Sequence, residues 1–429
     1  MAVMALALVV RLVWAVVVPM SPLSDCAIYD GAAQRLARGL PYTIDAASST
    51  PSAHWPVGTS FMYSLVYRVF DPGSWGYRPV VALNLVVSMA VVWLSMAVAR
   101  KWFGARAGTV TGVLMALWPM HIEYTTIIGS EPVFTALMLG GILLWPNSAK
   151  KSGLESGESG SSAARQCPAI SRIPCLLASG LCLAAATYVR PTSLLFPGIL
   201  AGIDVLRTRR LLMPIGRGAI VGAVVIAALL PWSFRNQRVF HQFVLVSTNT
   251  GTNMWMGNNP DTTGYYQAPP QMDDSLNEAQ KDKELGRIGK EYIRKDLVGF
   301  VKRSVVKAIR LHDRETIGVA WNQKGLERVS SAFEPKAGSG TKGLKAVSSG
   351  YWYLMLLLGA AGGVILARRD GLWQGITHPT VVFFAYFTAV HAIVVIQDRY
   401  HFPITPMVAA LASLPIAMLI RGRADKKPA

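Results

Sequence analysis

Apolar runs long enough to cross a hydrocarbon core of roughly 30 Å recur along the whole chain. They place about ten helices of spanning length near 1–19, 77–99, 107–120, 131–146, 173–189, 192–206, 218–234, 351–367, 379–396 and 403–420, the third and fourth being short. In lipid every backbone N–H and C=O must be paired internally, and a helix does this within one segment. The expected fold class is therefore an all-α integral membrane protein. Composition agrees, since 52% of the 429 residues are hydrophobic and 15% are charged. The run 1–18 has the look of a signal peptide, but no small-residue cleavage site follows, so it reads as a retained first span.

The formal net charge of +18 would suit nucleic acid, yet the cations mostly sit in short connections between apolar runs. With the N-terminus inside, the cytoplasmic connections hold Arg100, Lys101 and Arg106, then Lys150, Lys151, Arg165 and Arg172, then Arg207, Arg209, Arg210 and Arg217, then Arg368 and Arg369, and the tail adds Arg421, Arg423, Lys426 and Lys427. That is the bias that orients spans during insertion. Both termini are expected in the cytoplasm, and no nucleic-acid partner is expected. The four cysteines show no CxxC and no histidine at metal spacing, and Cys175 and Cys182 fall inside an apolar run as small hydrophobes. Three parts are expected: 1–234 as an N-terminal membrane module with a first outer loop at 20–76 and a flexible Gly/Ser-rich linker at 147–172; 235–350 as an extended outer loop with amphipathic helices; and 351–429 as a C-terminal membrane module. In the long loop one helix is expected near 275–295, and another where Leu297, Val301, Val305 and Ile309 alternate with Lys302, Arg303, Lys307 and Arg310, both lying near the membrane.

The unusual polar residues gather in the connections assigned to the outer side. Behind the first run, Asp25 precedes a stretch in which Ile28, Ala32, Leu36 and Leu40 take one side and Asp30, Gln34, Arg35 and Arg38 the other, as an interfacial helix requires. Glu131 opens the fourth run within Gly129-Ser130-Glu131-Pro132. Each acid alone reads as a helix start, because short oxygen-bearing side chains cap free N–H groups and the dipole favours negative charge there. Two acids facing the same side of a chain so poor in acids within its spans raise a catalytic reading to equal standing. Arg190, Arg235 and Arg399 also fall on that side, where topology would not select for them. Snorkelling or pairing with an acid, Asp398 in the case of Arg399, accounts for any one of them; together they suit a singly phosphorylated lipid, whose oxygens a guanidinium fork binds bidentately. Tyr400, His54 in His54-Trp55-Pro56, and the stretch 247–260 with Asn258 add aromatics, amides and hydroxyls that suit sugar hydroxyls and pyranose faces, or serve a turn-rich loop. No GxxxxGK[ST] loop is present, which argues against a cytosolic nucleotide as direct substrate.

The segments SDCAIYDGAAQRLARG, HWPVGTSFMYSLVYRVF, GSEPVFTALMLGGILLW, YVRPTSLLFP, PWSFRNQRVF, STNTGTNMWMGNNP and DRYHFPITPMVAALA stand in an order and a common outer placement. That arrangement resembles the polyprenyl-phosphate-dependent glycosyltransferases of the GT-C fold, in particular bacterial members of the protein mannosyltransferase and lipid A aminoarabinose transferase superfamily, family 39-like. The resemblance implies a GT-C type multi-span helical bundle with interfacial helices in the outer loops. It also implies a first-loop catalytic acid at Asp25, a second-loop acid at Glu131, and phosphate contacts at Arg190 and Arg399. Two departures weaken a metal role for the first loop: Cys26 stands where the family often has a further acid, and Trp55-Pro56 where it has paired prolines.

The expected function is transfer of a hexosyl or pentosyl group from a polyprenyl-phosphate donor to an acceptor hydroxyl of a protein, lipid or glycan, with inversion, Asp25 as general base and the arginines on the leaving phosphate. His54, Arg235, Asn258 and Tyr400 complete the expected substrate-binding set. A divalent cation, Mg or Mn, on Asp25 or Glu131 is admitted but not demanded. The expected location is the bacterial cytoplasmic membrane, with the site on the periplasmic or extracellular face. A lipid-linked glycan flippase or solute transporter is the alternative of another class; it should show internal repeats or mid-membrane charges in broken helices, and the sequence shows neither. A polymerase or ligase of glycans on the same face shares the fold type.

Overall fold

The computed structural model describes residues 1–44, 49–146, 172–333 and 339–424. The expected linker, save its last residue, lies outside the described residues, as do Lys150, Lys151, Arg165, Lys426 and Lys427. Every regular element among the described residues is helical. Among the described residues four helices are long and apolar enough to cross a bilayer: Arg78–Phe103, Leu212–Phe240, Gly340–Asp370 and Asp398–Ile420. Pro119–Thr126 and Glu131–Leu144, bent by 119° at their break, would make a fifth, while Ala2–Val17, Ile173–Val189 and Pro379–Ile393 are apolar but shorter. The protein is a multi-pass membrane protein, and the expectation of about ten spans of the usual length is corrected.

Helices stand at each expected place, but several stop early for local reasons. The 107–120 run yields only Ala105–Ala116, set between Gly104 at φ 90° and Pro119. The 192–206 run opens as a tight turn, Pro191–Leu195, before Phe196–Thr208. Other helices run past their expected bounds; Leu212–Phe240 crosses position 235 and Ser339–Asp370 crosses position 351.

The last span is the hub, since 67% of its apolar window is buried against 28–33% in the other three. It lies so close to Gly340–Asp370 that a Cβ at Gly362 would stand 2.0 Å from the Leu411 carbonyl oxygen. Only glycine allows that approach. The Asp25–Ala37 helix departs from its expected two-sided pattern: Cys26, Tyr29, Asp30, Ala32 and Ala33 are buried. Asp30, expected on the polar side, accepts hydrogen bonds from Tyr67 and, at 3.0 and 3.1 Å, from Tyr77 and Gln34. Three donors repay its burial, and the two from Tyr67 and Tyr77 add to the apolar contacts of Cys26, Tyr29, Ala32 and Ala33 in seating this helix on its neighbours.

Short helices create a second requirement, because the last carbonyls of a helix have no partner within it. Arg11, fully buried in the first helix, donates to the carbonyls of Met115 and Ala116 at 3.1 and 2.9 Å, where Ala105–Ala116 ends, and to Ser88 Oγ at 2.7 Å. Lys101 Nζ donates to the carbonyls of Ile142, Leu143 and Trp145 at 3.3, 2.8 and 2.7 Å, where Glu131–Leu144 ends. Cations here also face the negative end of the helix dipole. We predict that Lys101→Met, which keeps the stem and removes the donor, destabilises the protein by about 3 kcal/mol. Thermal unfolding in detergent followed by tryptophan emission would measure it, and an unchanged midpoint would show these carbonyls to be satisfied without the lysine.

Candidate functional site

Asp25 is the first residue of its helix, but Ser24 before it makes no side-chain cap. Ser24 instead holds φ 51°, a backbone region that is costly for a residue with a Cβ, and its Oγ lies 3.3 Å from Asp25 Oδ1. The other Asp25 oxygen, Oδ2, is paired with Arg399 Nη2. Glu131 likewise opens its helix without a cap from Ser130, whose hydroxyl accepts from Arg190 Nε at 3.0 Å. Glu131 Oε1 is paired with Arg190 Nη2 and lies 3.6 Å from Arg399 Nη1. The four charges thus form one chain: Asp25, Arg399, Glu131, Arg190. Two carboxylates balance two guanidiniums, which is what permits their burial.

Local chemistry explains each position. Pro191 disfavours helical backbone at the residue before it, so Arg190 leaves the Arg172–Val189 helix extended, at φ −146° and ψ 120°. A Cβ at Gly129 would stand 3.0 Å from Glu131 Oε2 and 2.9 Å from the Tyr124 ring, so glycine there lets the carboxyl tuck under its own loop. Arg399 Nε donates to Gln397 Oε1 at 2.6 Å, and its guanidinium carbon lies 4.5 Å from the centre of the Trp321 ring. Tyr400 sits between both arginines, 5.5 Å from that of Arg190 and 5.4 Å from that of Arg399, and stacks on His391.

The four differ in access. Glu131 is fully enclosed, Arg399 is 7% exposed, Arg190 15% and Asp25 21%. Arg190 Nη1 also meets no acceptor among the described residues, whereas every arm of Arg399 is engaged.

The remaining expected site residues lie apart from this chain. Arg235 is inside the Leu212–Phe240 helix and not behind it; it stacks on Trp232 at 4.7 Å and donates to the Ser52 carbonyl at 2.9 Å. Asn258 is fully buried and donates to the carbonyls of Met254 and Ile393, each at 2.9 Å. His54 is half-buried beside Trp55. Burial pulls its imidazole below the usual range, opposed by Glu278, Asp282 and Asp25, which leaves the ring neutral at pH 7.

Several contributors escaped the sequence reading. Asp398 does not pair with Arg399: its Oδ2 accepts from the N–H groups of Thr316 and Ile317 at 2.8 and 3.1 Å. Glu315, buried, accepts from Trp118 Nε1 at 3.1 Å and lies 3.3 Å from His401 Nε2. Glu278 accepts from Ser52 Oγ at 2.6 Å and from the Ala53 N–H at 2.8 Å, holding the first loop beside His54. The segment 315–322 therefore inserts behind Arg399 and fixes it from below. No signal short of a contact map relates these acids to partners so distant in sequence. Among the described residues no group of three or more His, Cys, Asp or Glu side chains converges to hold a metal ion, and both carboxylates of the charge chain are held by arginine.

With this geometry in hand, comparison with known proteins is informative. Residues 54–155 match the family model of dolichyl-phosphate-mannose-protein mannosyltransferases, a span that holds His54 and Glu131 but not Asp25, Arg190 or Arg399. No curated protein sequence matches the chain. Among solved structures it is similar to the archaeal oligosaccharyltransferase AglB from Archaeoglobus fulgidus, in complex with an inhibitory peptide and a dolichol-phosphate: TM-score 0.57 at 11% identity, covering 100% of this chain and 52% of that one. The apo form of the Archaeoglobus fulgidus oligosaccharyltransferase gives TM-score 0.56 at 12% identity, covering 99% of this chain and 51% of that one. The superposition is looser on ArnT from Cupriavidus metallidurans bound to undecaprenyl phosphate, with TM-score 0.43 at 15% identity and coverage of 100% and 80%. The fold is that of the GT-C membrane glycosyltransferases. The chain spans about half the length of the oligosaccharyltransferase structures it matches.

The differing enclosure of the two acids yields a prediction. Glu131→Gln should destabilise by about 3–5 kcal/mol, because it strips two buried arginines of a shared partner. Asp25→Asn should cost distinctly less, since water reaches that carboxylate. Thermal unfolding of both variants in one detergent tests the ranking; equal shifts would mean that Glu131 is not the buried keystone of the chain.

Proposed function

We propose that the protein is a membrane glycosyltransferase that moves a sugar from a polyprenyl phosphate to an acceptor hydroxyl at the membrane end where Asp25 lies, the outer face of a cytoplasmic membrane. The observation that carries this reading is the charge chain, which runs from a water-accessible carboxylate, Asp25, to an arginine with an unused donor, Arg190, at its other end. The fold supports it, as do the dolichyl-phosphate-mannose family model over 54–155 and the dolichol-phosphate held by the archaeal enzyme of similar fold.

In this reading the acceptor oxygen attacks the anomeric carbon as the bond to the donor phosphate oxygen breaks, and the acceptor proton passes to Asp25. Attack opposite the leaving group inverts the configuration. The transition state has oxocarbenium character, so the carboxylate serves both as base and as a nearby negative charge. Arg190 takes the phosphate, because its free Nη1 faces charge that grows only as the bond breaks. Arg399, fully engaged, holds Asp25 in position. Glu131 orients the two arginines and takes no part in proton transfer. His54, in the loop held by Glu278, faces the acceptor side. No step is routed through a metal ion. The acceptor is a hydroxyl of a protein, lipid or glycan, and the sugar a hexose or pentose.

The test is transfer of radiolabelled sugar from a polyprenyl phosphate by membranes carrying the wild-type chain or a variant at matched expression. Asp25→Asn should lower turnover about 10²–10⁴-fold, as expected for loss of a positioned base. Arg190→Gln should cost about 3 kcal/mol of transition-state stabilisation, seen in kcat more than in KM for the donor. Equal transfer by wild type and Asp25→Asn would reduce Asp25 to a partner of Arg399, and the base would have to be sought elsewhere.

A further inference from the structure

The Leu297–Arg310 helix is inside out. Its one fully buried residue is a lysine, Lys307, while Leu297, Val298, Val301, Val305 and Ile309 are 55–68% exposed. The buried side is set by polar chemistry. Lys307 Nζ donates to the carbonyls of Gly257 and Val394, each at 2.8 Å, and of Ile393 at 3.3 Å. The last two are carbonyls where the apolar helix Pro379–Ile393 ends, that of Ile393 also accepting from Asn258. A Cβ at Gly264 would stand 2.9 Å from Lys307 Cγ, so the lysine stem fills a slot shaped for it. Rotating the helix to bury its valines would pull the ammonium off three carbonyls, so the apolar face is held outward.

What covers that face follows from where it lies. Lys307 ties the helix to the very end of Pro379–Ile393, whose Ile393 is itself 42% exposed. The exposed apolar stripe thus continues the apolar surface of a membrane helix at the level where that helix stops. Arg294 and Lys302 are exposed beside the stripe and enter no ion pair among the described residues. Apolar residues with flanking unpaired cations fit the boundary between acyl chains and anionic headgroups. We propose that the Leu297–Arg310 helix docks in the plane of an anionic lipid leaflet, with Lys307 fixing which face it offers. Residues 393–396 lead directly into the Gln397–Arg399 pair, and the Ile396 N–H donates to the Gly264 carbonyl at 2.8 Å. The docked helix thereby braces the backbone that presents Arg399.

This inference rests on the chain being a membrane protein and not on glycosyl transfer, so its test needs no activity. A bimane label would be placed at Val301→Cys, or at Glu284→Cys on the exposed polar side of the preceding helix, in the full chain, with label on the parent chain's native cysteines subtracted. Each would be reconstituted in nanodiscs of phosphatidylcholine, with and without phosphatidylglycerol, and quenched with brominated lipid. The expected result is loss of at least half the emission at position 301 and little at 284, with stronger quenching when phosphatidylglycerol is present. Arg294→Gln with Lys302→Gln should remove that excess and leave the quenching in phosphatidylcholine. Equal, weak quenching at both positions would overturn the proposal. So would emission at 301 that depends on the number of chains per disc and not on lipid, which would mean that a second copy covers the face.

Discussion

A helix that stops inside packed protein leaves carbonyls that need partners from elsewhere, and this protein contains several such helices. Each unpaired group costs about 1–3 kcal/mol, so a few orphaned ends would erase the stability of an ordinary domain. The chain meets the constraint with long cationic side chains brought from elsewhere in the sequence: Arg11 for Ala105–Ala116, Lys101 for Glu131–Leu144, Lys307 for Pro379–Ile393. Ionisable residues within membrane segments usually invite a functional reading. Here their partners are backbone carbonyls at helix ends, and their work is to make short helices tolerable.

Short helices in turn make room for the site. A continuous span from 107 to 144 would bury the connection that now turns by 119° between Pro119–Thr126 and Glu131–Leu144. Because it turns, Glu131 begins a helix at the same level as Asp25 and Arg190, and the last span supplies Arg399 from the centre. The balance of two acids and two arginines offsets the cost of enclosing them. The inserted segment 315–322 then closes the back of the site, with Trp321 against Arg399 and the N–H groups of Thr316 and Ile317 on Asp398. The long segment after Leu212–Phe240 is thus as much part of the site as the first loop.

Much of this was legible in the sequence, for a physical reason. Asp25, Glu131, Arg190 and Arg399 stood out because membrane chains carry few charges at span ends without cause, and the structure brings those four together. Arg235 satisfied the same criterion, and Asn258 stood out as an amide suited to sugar, yet one lies within a helix that runs on to Phe240 and the other bonds the end of Pro379–Ile393. Where a helix ends decides which way a terminal residue points, and boundaries are the least legible feature of apolar runs. Asp30 looked solvated because its neighbours on the helix were polar, but its partners, Tyr67 and Tyr77, come from elements the periodicity cannot align with it. The Leu297–Ile309 stripe was visible as a period; that it faces away from the protein depends on Lys307, whose carbonyl partners no pattern names.

The two acids show how one arrangement separates roles. Both begin helices, both follow a serine, and both bind arginine, yet one is enclosed and the other meets water. Backbone makes the difference. Gly129 lacks the Cβ that would keep the Glu131 carboxyl from folding back beneath its loop, while Ser24, held at φ 51°, swings Asp25 outward with its Oδ1 clear of the ion pair. Asp25 is the member of the chain most open to solvent, whereas Glu131 lies enclosed against Arg190 and Arg399. Exchanging the two acids would therefore not exchange their exposure, because the loops set it. A relaxed Ser24 could cap the helix and stabilise it, so the strained backbone there forgoes that contact while turning Asp25 outward.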